Sequence, residues 1–350
     1  MAAQFFSALA DNALLIAAIA LLRDMHAPAA YEPLLKTSFT LSYVLLAAFV
    51  GAFADSMPKW RVMFISNGIK ILGCALMFFD TPPLLAYAVV GLGAAAYSPA
   101  KYGILTEYLP HRLLVVANGW VEGLTVIAII LGTVLGGLLI KPDLAAAILA
   151  FDFPFIDTGI DTVAEMNLLV IGTLYLVAAL FNLHIPDTGV AHSPLKKNPL
   201  FLIHEFNHCL RLLWRDRLGQ VSLAVTTLFW GAGSTLQFIV IEWAKAAMQM
   251  DLSHASMLQG VVAVGVAIGA FVAARYISLR RSVKVIPLGI AMGIGIIVMI
   301  LVPLIPALPL IDDAFVAFGH PLRLALDLRM AVSLLLLVVV GGFSGLFVVP

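Results

Sequence analysis

Apolar residues in this chain run rather than alternate. Stretches of about 20 apolar residues, the length a helix needs to cross a bilayer's hydrocarbon core, recur from the first residues to the last, separated by polar breaks. Scanned in windows of about 19 residues, the pattern predicts ten spans, near 2–22, 37–54, 61–79, 84–106, 113–140, 166–184, 219–243, 256–278, 284–303 and 328–349. The longest loop follows the sixth span and carries Pro186, Pro194, Pro199, three histidines (His192, His204, His208) and several basic residues. A long basic connector after six spans is the kind that joins two helical halves. The expected organisation is an N-terminal transmembrane half over 1–184, a basic cytoplasmic linker over 185–218 and a C-terminal half over 219–350. That second half has only four spans, so it is expected to be incomplete. The fold class is an all-α polytopic membrane protein.

Composition agrees with that pattern. Hydrophobic residues make up 62% of the chain and charged ones 11%, with a mean hydropathy of +1.05, against about 25% charged in soluble domains. A formal net charge of zero argues against a nucleic-acid partner. Cys74 and Cys209 supply no disulfide framework, and no C-x-x-C or His/Cys cluster indicates a metal. No Walker motif is present, so neither ATP nor another cofactor is expected. The first apolar run contains Asp11 and Asn12 and lacks a basic leader, unlike a cleavable signal peptide. Twelve Lys and Arg residues fall on one side of the predicted spans and six on the other, which puts the N-terminus in the cytoplasm. Lys70 and Lys101 remain, both inside spans.

Those two lysines direct attention to the polar residues within spans. A charge at membrane depth costs ~2.5–3.5 kcal/mol on insertion scales, so it faces a cavity or a partner. Span four pairs Tyr97 with Lys101 and Ser98 with Tyr102 at helical spacing, around Pro99, which withholds one backbone hydrogen bond. A lysine suits a phosphate as a compact point charge; equally, it can bridge to a carboxylate on a neighbouring span. The candidates are Asp11 and Glu122, the latter sharing a face with Asn118 and Thr125. Gln4, Ser7 and Asp11 share a face of span one, with Asn12 beside it, as an interhelical polar patch or as a cavity lining. Asn67 and Lys70 share a face of span three, open to the same two readings. In span seven, Thr227, Trp230, Ser234 and Gln237 lie on one face, where a tryptophan can flank an apolar chain and a headgroup. Gly132-x-x-x-Gly136, Gly265-x-x-x-Gly269 and Gly289-x-x-x-Gly293 are expected to let helices approach closely. Between spans two and three, Gly51-x-x-x-Asp55 precedes Lys59 and Arg61, an acidic helix end followed by residues expected at lipid headgroups. The loop at 141–165 is acidic, and its Phe151–Ile156 reads as an amphipathic loop; no function is read in the connector near 304–327.

The Gly51/Asp55 loop, placed where it is, resembles the signature of the major facilitator superfamily, although Pro58 and Trp60 depart from it. Phe6–Leu15, Gly91–Leu105, Asn118-Gly119, Leu228–Gly233 and Gly341–Pro350, in this order and spacing, resemble a branch of that superfamily, the bacterial lysophospholipid transporters. The resemblance spans nearly the whole chain. It implies a major-facilitator-type bundle of two six-helix halves, with a conformational-switch loop at Gly51, Asp55 and Arg61. It also implies flipping of lysophosphatidylethanolamine and lysophosphatidylglycerol from the outer to the inner leaflet of the bacterial inner membrane. There an acyl-carrier-protein synthetase and acyltransferase would reacylate them. By this similarity Asp11 and Lys101 match charged cavity residues, and the substrate-binding set is Asp11, Asn12, Lys70, Tyr97, Ser98, Lys101, Tyr102, Asn118, Glu122, Trp230 and Gln237. Gln237 departs from an arginine of the family, and the absence of two final spans leads us to expect no unaided transport. Two rival readings are a proton-coupled antiporter of drugs or other amphiphiles, with Asp11 or Glu122 carrying the proton, and a lipid-modifying membrane enzyme. The second is disfavoured because the histidines collect in the basic loop.

Overall fold

Proline and threonine set four of the helix starts. Pro58, Pro82 and Pro110 occupy the N-cap positions of three successive helices in the computed structural model of the chain, where a missing N–H breaks no intrahelical bond. Thr162 opens a later helix with a capping box: its hydroxyl accepts from Glu165 N at 3.2 Å, while Glu165 Oε2 accepts from Thr162 N at 2.9 Å. The structure describes residues 1–140, 162–194, 198–250, 252–277, 285–306, 308–317 and 320–348; the acidic loop's Phe151–Ile156 lies outside them.

The chain divides into two compact units, Met1–Ala232 and Gly233–Pro350. The first contains α1 (Ala2–Asp24), α2 (Tyr31–Asp55), α3 (Lys59–Phe78), α4 (Pro83–Tyr108), α5 (His111–Leu139), α6 (Val163–Leu183), α7 (Pro199–Arg215) and the start of α8 (Arg217–Met248). The rest of α8, α9 (Leu252–Tyr276), α10 (Leu288–Met299) and α11 (Leu328–Val348) form the second. Among the described residues, eight helices are long and apolar enough to cross a membrane. Two shorter apolar stretches, Leu258–Ala273 and Leu288–Leu304, fall where the eighth and ninth spans were expected. The helical bundle expected from the sequence is thus present, apart from a two-stranded antiparallel hairpin of β1 (Pro309–Ala317) and β2 (His320–Asp327) in the connector.

Within the first unit α1 is the enclosed helix, packed against α5 and α6, with Ala10, Ala13, Leu14 and Ala18 fully buried. Helix α3 packs on α4 and α6, and α2 on α4. The small-residue expectation holds for α1 and α5. A Cβ at Gly136 would lie 2.9 Å from the Ala13 carbonyl oxygen, and one at Gly132 would overlap the Leu9 carbonyl. It holds again in the second unit, where Gly265 and Gly269 of α9 meet the α11 backbone at Val338 and Gly342. It fails for Gly293, which faces open space.

Linker residues read as a basic loop form a helix over Pro199–Arg215 instead. Asn198 caps α7 by accepting from Leu200 N at 3.1 Å, and the helix packs on α2.

Candidate functional site

The polar residues of spans one, three and six converge inside the first unit. Lys70 of α3 is 1% exposed. Its Nζ lies 2.8 Å from Asp11 Oδ2 and donates to Ser7 Oγ at 2.9 Å. Ser7 Oγ in turn donates to Asn67 Oδ1 at 2.9 Å. Tyr175 of α6, wholly buried, donates its hydroxyl to Asp11 Oδ1 at 2.8 Å. The rings of Tyr97 and Tyr175 lie 5.3 and 5.5 Å from the Lys70 ammonium, close enough for cation–π attraction. The lysine thus has a carboxylate, a hydroxyl and two aromatic faces in place of water, which offsets its desolvation.

Helix geometry brings these groups together. Ser7 and Asp11 are one turn apart on α1, and Asn67 and Lys70 one turn apart on α3. Gly93 of α4 makes room for Lys70: a Cβ there would lie 2.8 Å from Lys70 Cγ and 2.6 Å from the Ser66 carbonyl oxygen.

Asp11 is the accessible member of the network. Its side chain is 22% exposed, against 2% for that of Lys70. A carboxylate offers about four lone-pair sites, and Lys70 and Tyr175 occupy one on each oxygen, so Asp11 retains capacity for a further donor. Two buried donors beside Lys70, Asn67 Nδ2 and Tyr97 OH, have no hydrogen-bond partner among the described residues. Buried polar atoms of this kind are ordinarily satisfied, so they mark where a water or a ligand atom would be held.

The span-four motif serves two surroundings. Helix α4 runs through Pro99 without a break. Tyr97 turns inward to Lys70, whereas Lys101 is half-buried and its Nζ lies 4.3 Å from the exposed Tyr102 ring. Ser98 is half-buried. Of the two carboxylates considered as partners of Lys101, Asp11 is engaged by Lys70, and the Glu122 side chain lies outside the described residues. So do the side chains of Trp230 and Gln237. Asn12 donates to the Ala8 carbonyl of its own helix at 2.8 Å, and Asn118 is exposed. Gln4 donates to Thr125 Oγ1 at 3.0 Å, joining α1 to α5.

A second cluster sits where α2 and α4 end and α3 begins. Lys59 was expected among lipid headgroups, yet its side chain is only 7% exposed. Its Nζ lies 2.6 Å from Asp55 Oδ1 and 3.5 Å from Glu107 Oε1, and donates to the Ala54 carbonyl at 2.8 Å. Glu107 Oε2 accepts from Thr188 Oγ1 at 2.8 Å, Tyr108 OH donates to the Pro186 carbonyl at 2.6 Å, and Ser193 N donates to the Asp55 carbonyl at 3.0 Å. The start of the linker is therefore strapped across these helix ends. Arg61 is exposed with its guanidinium 5.1 Å from the Trp60 ring, and Gly51 faces open space.

Sequence reading missed Tyr175, Glu107, Thr188 and the inward turn of Lys59. Asn167, Tyr175 and Asn182, all buried, fall on one face of α6; that polar stripe in an apolar span was the available signal.

Comparison with known proteins supplies the wider setting. The whole chain, residues 1–350, matches the family model described as Major Facilitator Superfamily. It is 37% identical to a lysophospholipid transporter, LplT, of Yersinia enterocolitica over 351 residues, covering 100% of this chain and 76% of that protein. It is also 37% identical to LplT of Yersinia pestis (strain Pestoides F), covering 75% of that protein. Among solved structures, the proton:xylose symporter XylE aligns with a TM-score of 0.62 at 12% identity, over 98% of this chain and 78% of that one. A bacterial homologue of the human lysosomal transporter Spinster aligns with a TM-score of 0.61 at 17% identity, over 99% and 71%.

Proposed function

This chain belongs to the major facilitator superfamily and, within it, to the lysophospholipid transporters, and we propose that it moves lysophosphatidylethanolamine and lysophosphatidylglycerol across the bacterial inner membrane to the cytoplasmic leaflet. Its N-terminus lies in the cytoplasm, and 1–184 and 219–350 act as two transmembrane halves joined by the linker at 185–218. An acyl-carrier-protein synthetase and acyltransferase on the cytoplasmic side consumes what is delivered.

The observation that carries the site assignment is the unequal exposure of the Asp11–Lys70 pair. Lys70 is sealed in and fixes Asp11, while Asp11 keeps exposed surface and unused lone pairs. An ethanolamine ammonium is the headgroup donor that fits such a carboxylate. Lys101, half-buried beside Tyr102, meets the phosphate as a point charge. Ser98 and Asn118 supply neutral hydrogen bonds, and Asn12, Tyr97, Tyr102, Glu122, Trp230 and Gln237 belong to the same substrate-binding set. The acyl chain remains in lipid while the headgroup crosses. The Asp55 loop, through Lys59 and Glu107, is the switch that opens and closes the cytoplasmic end.

Uptake of labelled lysophosphatidylethanolamine into proteoliposomes tests the phosphate contact. Lys101→Ala is expected to lower uptake about tenfold or more, the loss of a charge-assisted contact of roughly 1.5–3 kcal/mol. Undiminished uptake removes Lys101 from the site. Collapsing the proton gradient should leave wild-type uptake in place; abolished uptake would favour a proton-coupled antiporter with Asp11 as the proton carrier.

A further inference from the structure

Helix α7 has no role in the proposed headgroup site, yet it is the most clearly two-faced of the described helices. At about 100° per residue, Ile203, Phe206, Leu210, Leu213 and Trp214 fall on one stripe, at the spacing of an amphipathic helix. All five are exposed. His204, His208, Arg211 and Arg215 lie on the opposite side, also exposed, beside the acidic Glu205 and two exposed apolar residues, Phe201 and Leu212. Leu202, at the edge of the apolar stripe, is buried, and the helix packs on α2.

What covers the exposed stripe follows from how α7 is fixed. Asp216 ends α7 and starts α8 by accepting from Gly219 N at 2.8 Å, and Gln220 Nε2 reaches back to the Trp214 carbonyl at 2.6 Å. The corner is therefore held on both sides. Helix α8 is apolar enough to span from Arg217 onward, so the corner lies at the membrane boundary, and α7 leads into that corner while packing on α2, another helix of spanning length. Trp214, an aromatic with a polar edge, occupies the end nearest the corner, the depth at which membrane proteins concentrate tryptophan. Arg211, Arg215 and Arg217 cluster there too, on the side that the basic residues assign to the cytoplasm.

We propose that α7 is an interfacial helix that lies in the cytoplasmic leaflet of the bilayer, with its apolar stripe among the upper acyl chains and its basic side against anionic phospholipid headgroups. A helix with this distribution binds through buried apolar area plus attraction to anionic lipid. It anchors the segment between α6 and α8 to the membrane surface, which a solvated linker would not do.

Nitroxide scanning of the full chain in vesicles tests this. Single cysteines at 203, 204, 206, 208, 210, 211, 213 and 215, in a Cys74→Ala/Cys209→Ser background, are compared for collision with oxygen and with a water-soluble nickel chelate. The vesicles contain phosphatidylethanolamine with about a third phosphatidylglycerol. Positions 203, 206, 210 and 213 are expected to show an oxygen-to-nickel ratio roughly fivefold above that of 204, 208, 211 and 215. High nickel access at every position overturns the proposal, because the helix is then solvated. Low access to both reagents on the apolar stripe also overturns it, because protein, a second copy or another chain, then covers that face. In phosphatidylcholine vesicles, or with Arg211→Glu/Arg215→Glu in the phosphatidylglycerol vesicles, the contrast is expected to fall by about half. An unchanged contrast in both overturns the anionic-lipid contact.

Discussion

At the scale of single residues, the Asp11–Lys70 pair holds the most consequence. A buried pair contributes little net stability, whereas breaking it by removing one partner costs ~3–5 kcal/mol because a charge is left uncompensated. Lys70→Met is therefore expected to lower the thermal unfolding midpoint of the purified protein sharply. Lys70→Met/Asp11→Asn should recover most of that loss, since no unpaired charge remains. Lysolipid uptake should stay low in both, because the first frees Asp11 from its anchor and the second removes the carboxylate. Recovery of transport in the double variant would make the pair purely structural. Tyr175→Phe removes one hydrogen bond to a charged group, worth roughly 1.5–3 kcal/mol, and is expected to shift the midpoint less. The sequence identified Asp11 and Lys70 as costly residues needing partners, but left Asp11 as a possible partner of Lys101. Two lysines in different spans are equally plausible on paper. Only the packing of α1 on α6, and of α3 on α6, brings Lys70 and Tyr175 to the two oxygens of Asp11.

At the scale of elements, run length located the spans, because a bilayer demands about 20 apolar residues per helix whatever their detailed order. It was blind to what lies between them. The linker's prolines, histidines and arginines read as a basic loop, although the stripe from Ile203 to Leu213 had helical spacing all along. Lys59 was assigned to headgroups by position alone. In the structure it is buried, and Glu107, to which it is bound, also holds the linker through Thr188. That strap is testable. Thr188→Val with Tyr108→Phe removes both side-chain bonds between the linker and the end of α4, and each is worth about 0.5–1.5 kcal/mol. Trypsin cleavage at Lys196 and Lys197 is expected to accelerate severalfold in vesicles that expose this face, with cleavage elsewhere unchanged. An unaltered rate would mean that the strap is held by Ile185 packing and the Ser193 backbone bond instead.

At the scale of the whole molecule, sidedness decides which way the proposed headgroup site and the linker face. The twelve-to-six excess of basic residues is the ground for proposing that the N-terminus, the Asp55 loop and α7 lie on the cytoplasmic side. The chain carries its own reporter of this arrangement. Of its two cysteines, Cys74 is buried within α3 and Cys209 is exposed on α7, so a membrane-impermeant maleimide has one accessible target. Inverted membrane vesicles should therefore label and intact spheroplasts should not, with Cys209→Ser removing the signal. Labelling in spheroplasts but not in inverted vesicles would reverse the orientation and place α7 in the outer leaflet. Delivery to a cytoplasmic acyltransferase would then require the site to open the other way. The prediction rests on the arginines and lysines of the loops together with the burial of one thiol and the exposure of the other, and it holds whether or not Lys101 binds a phosphate.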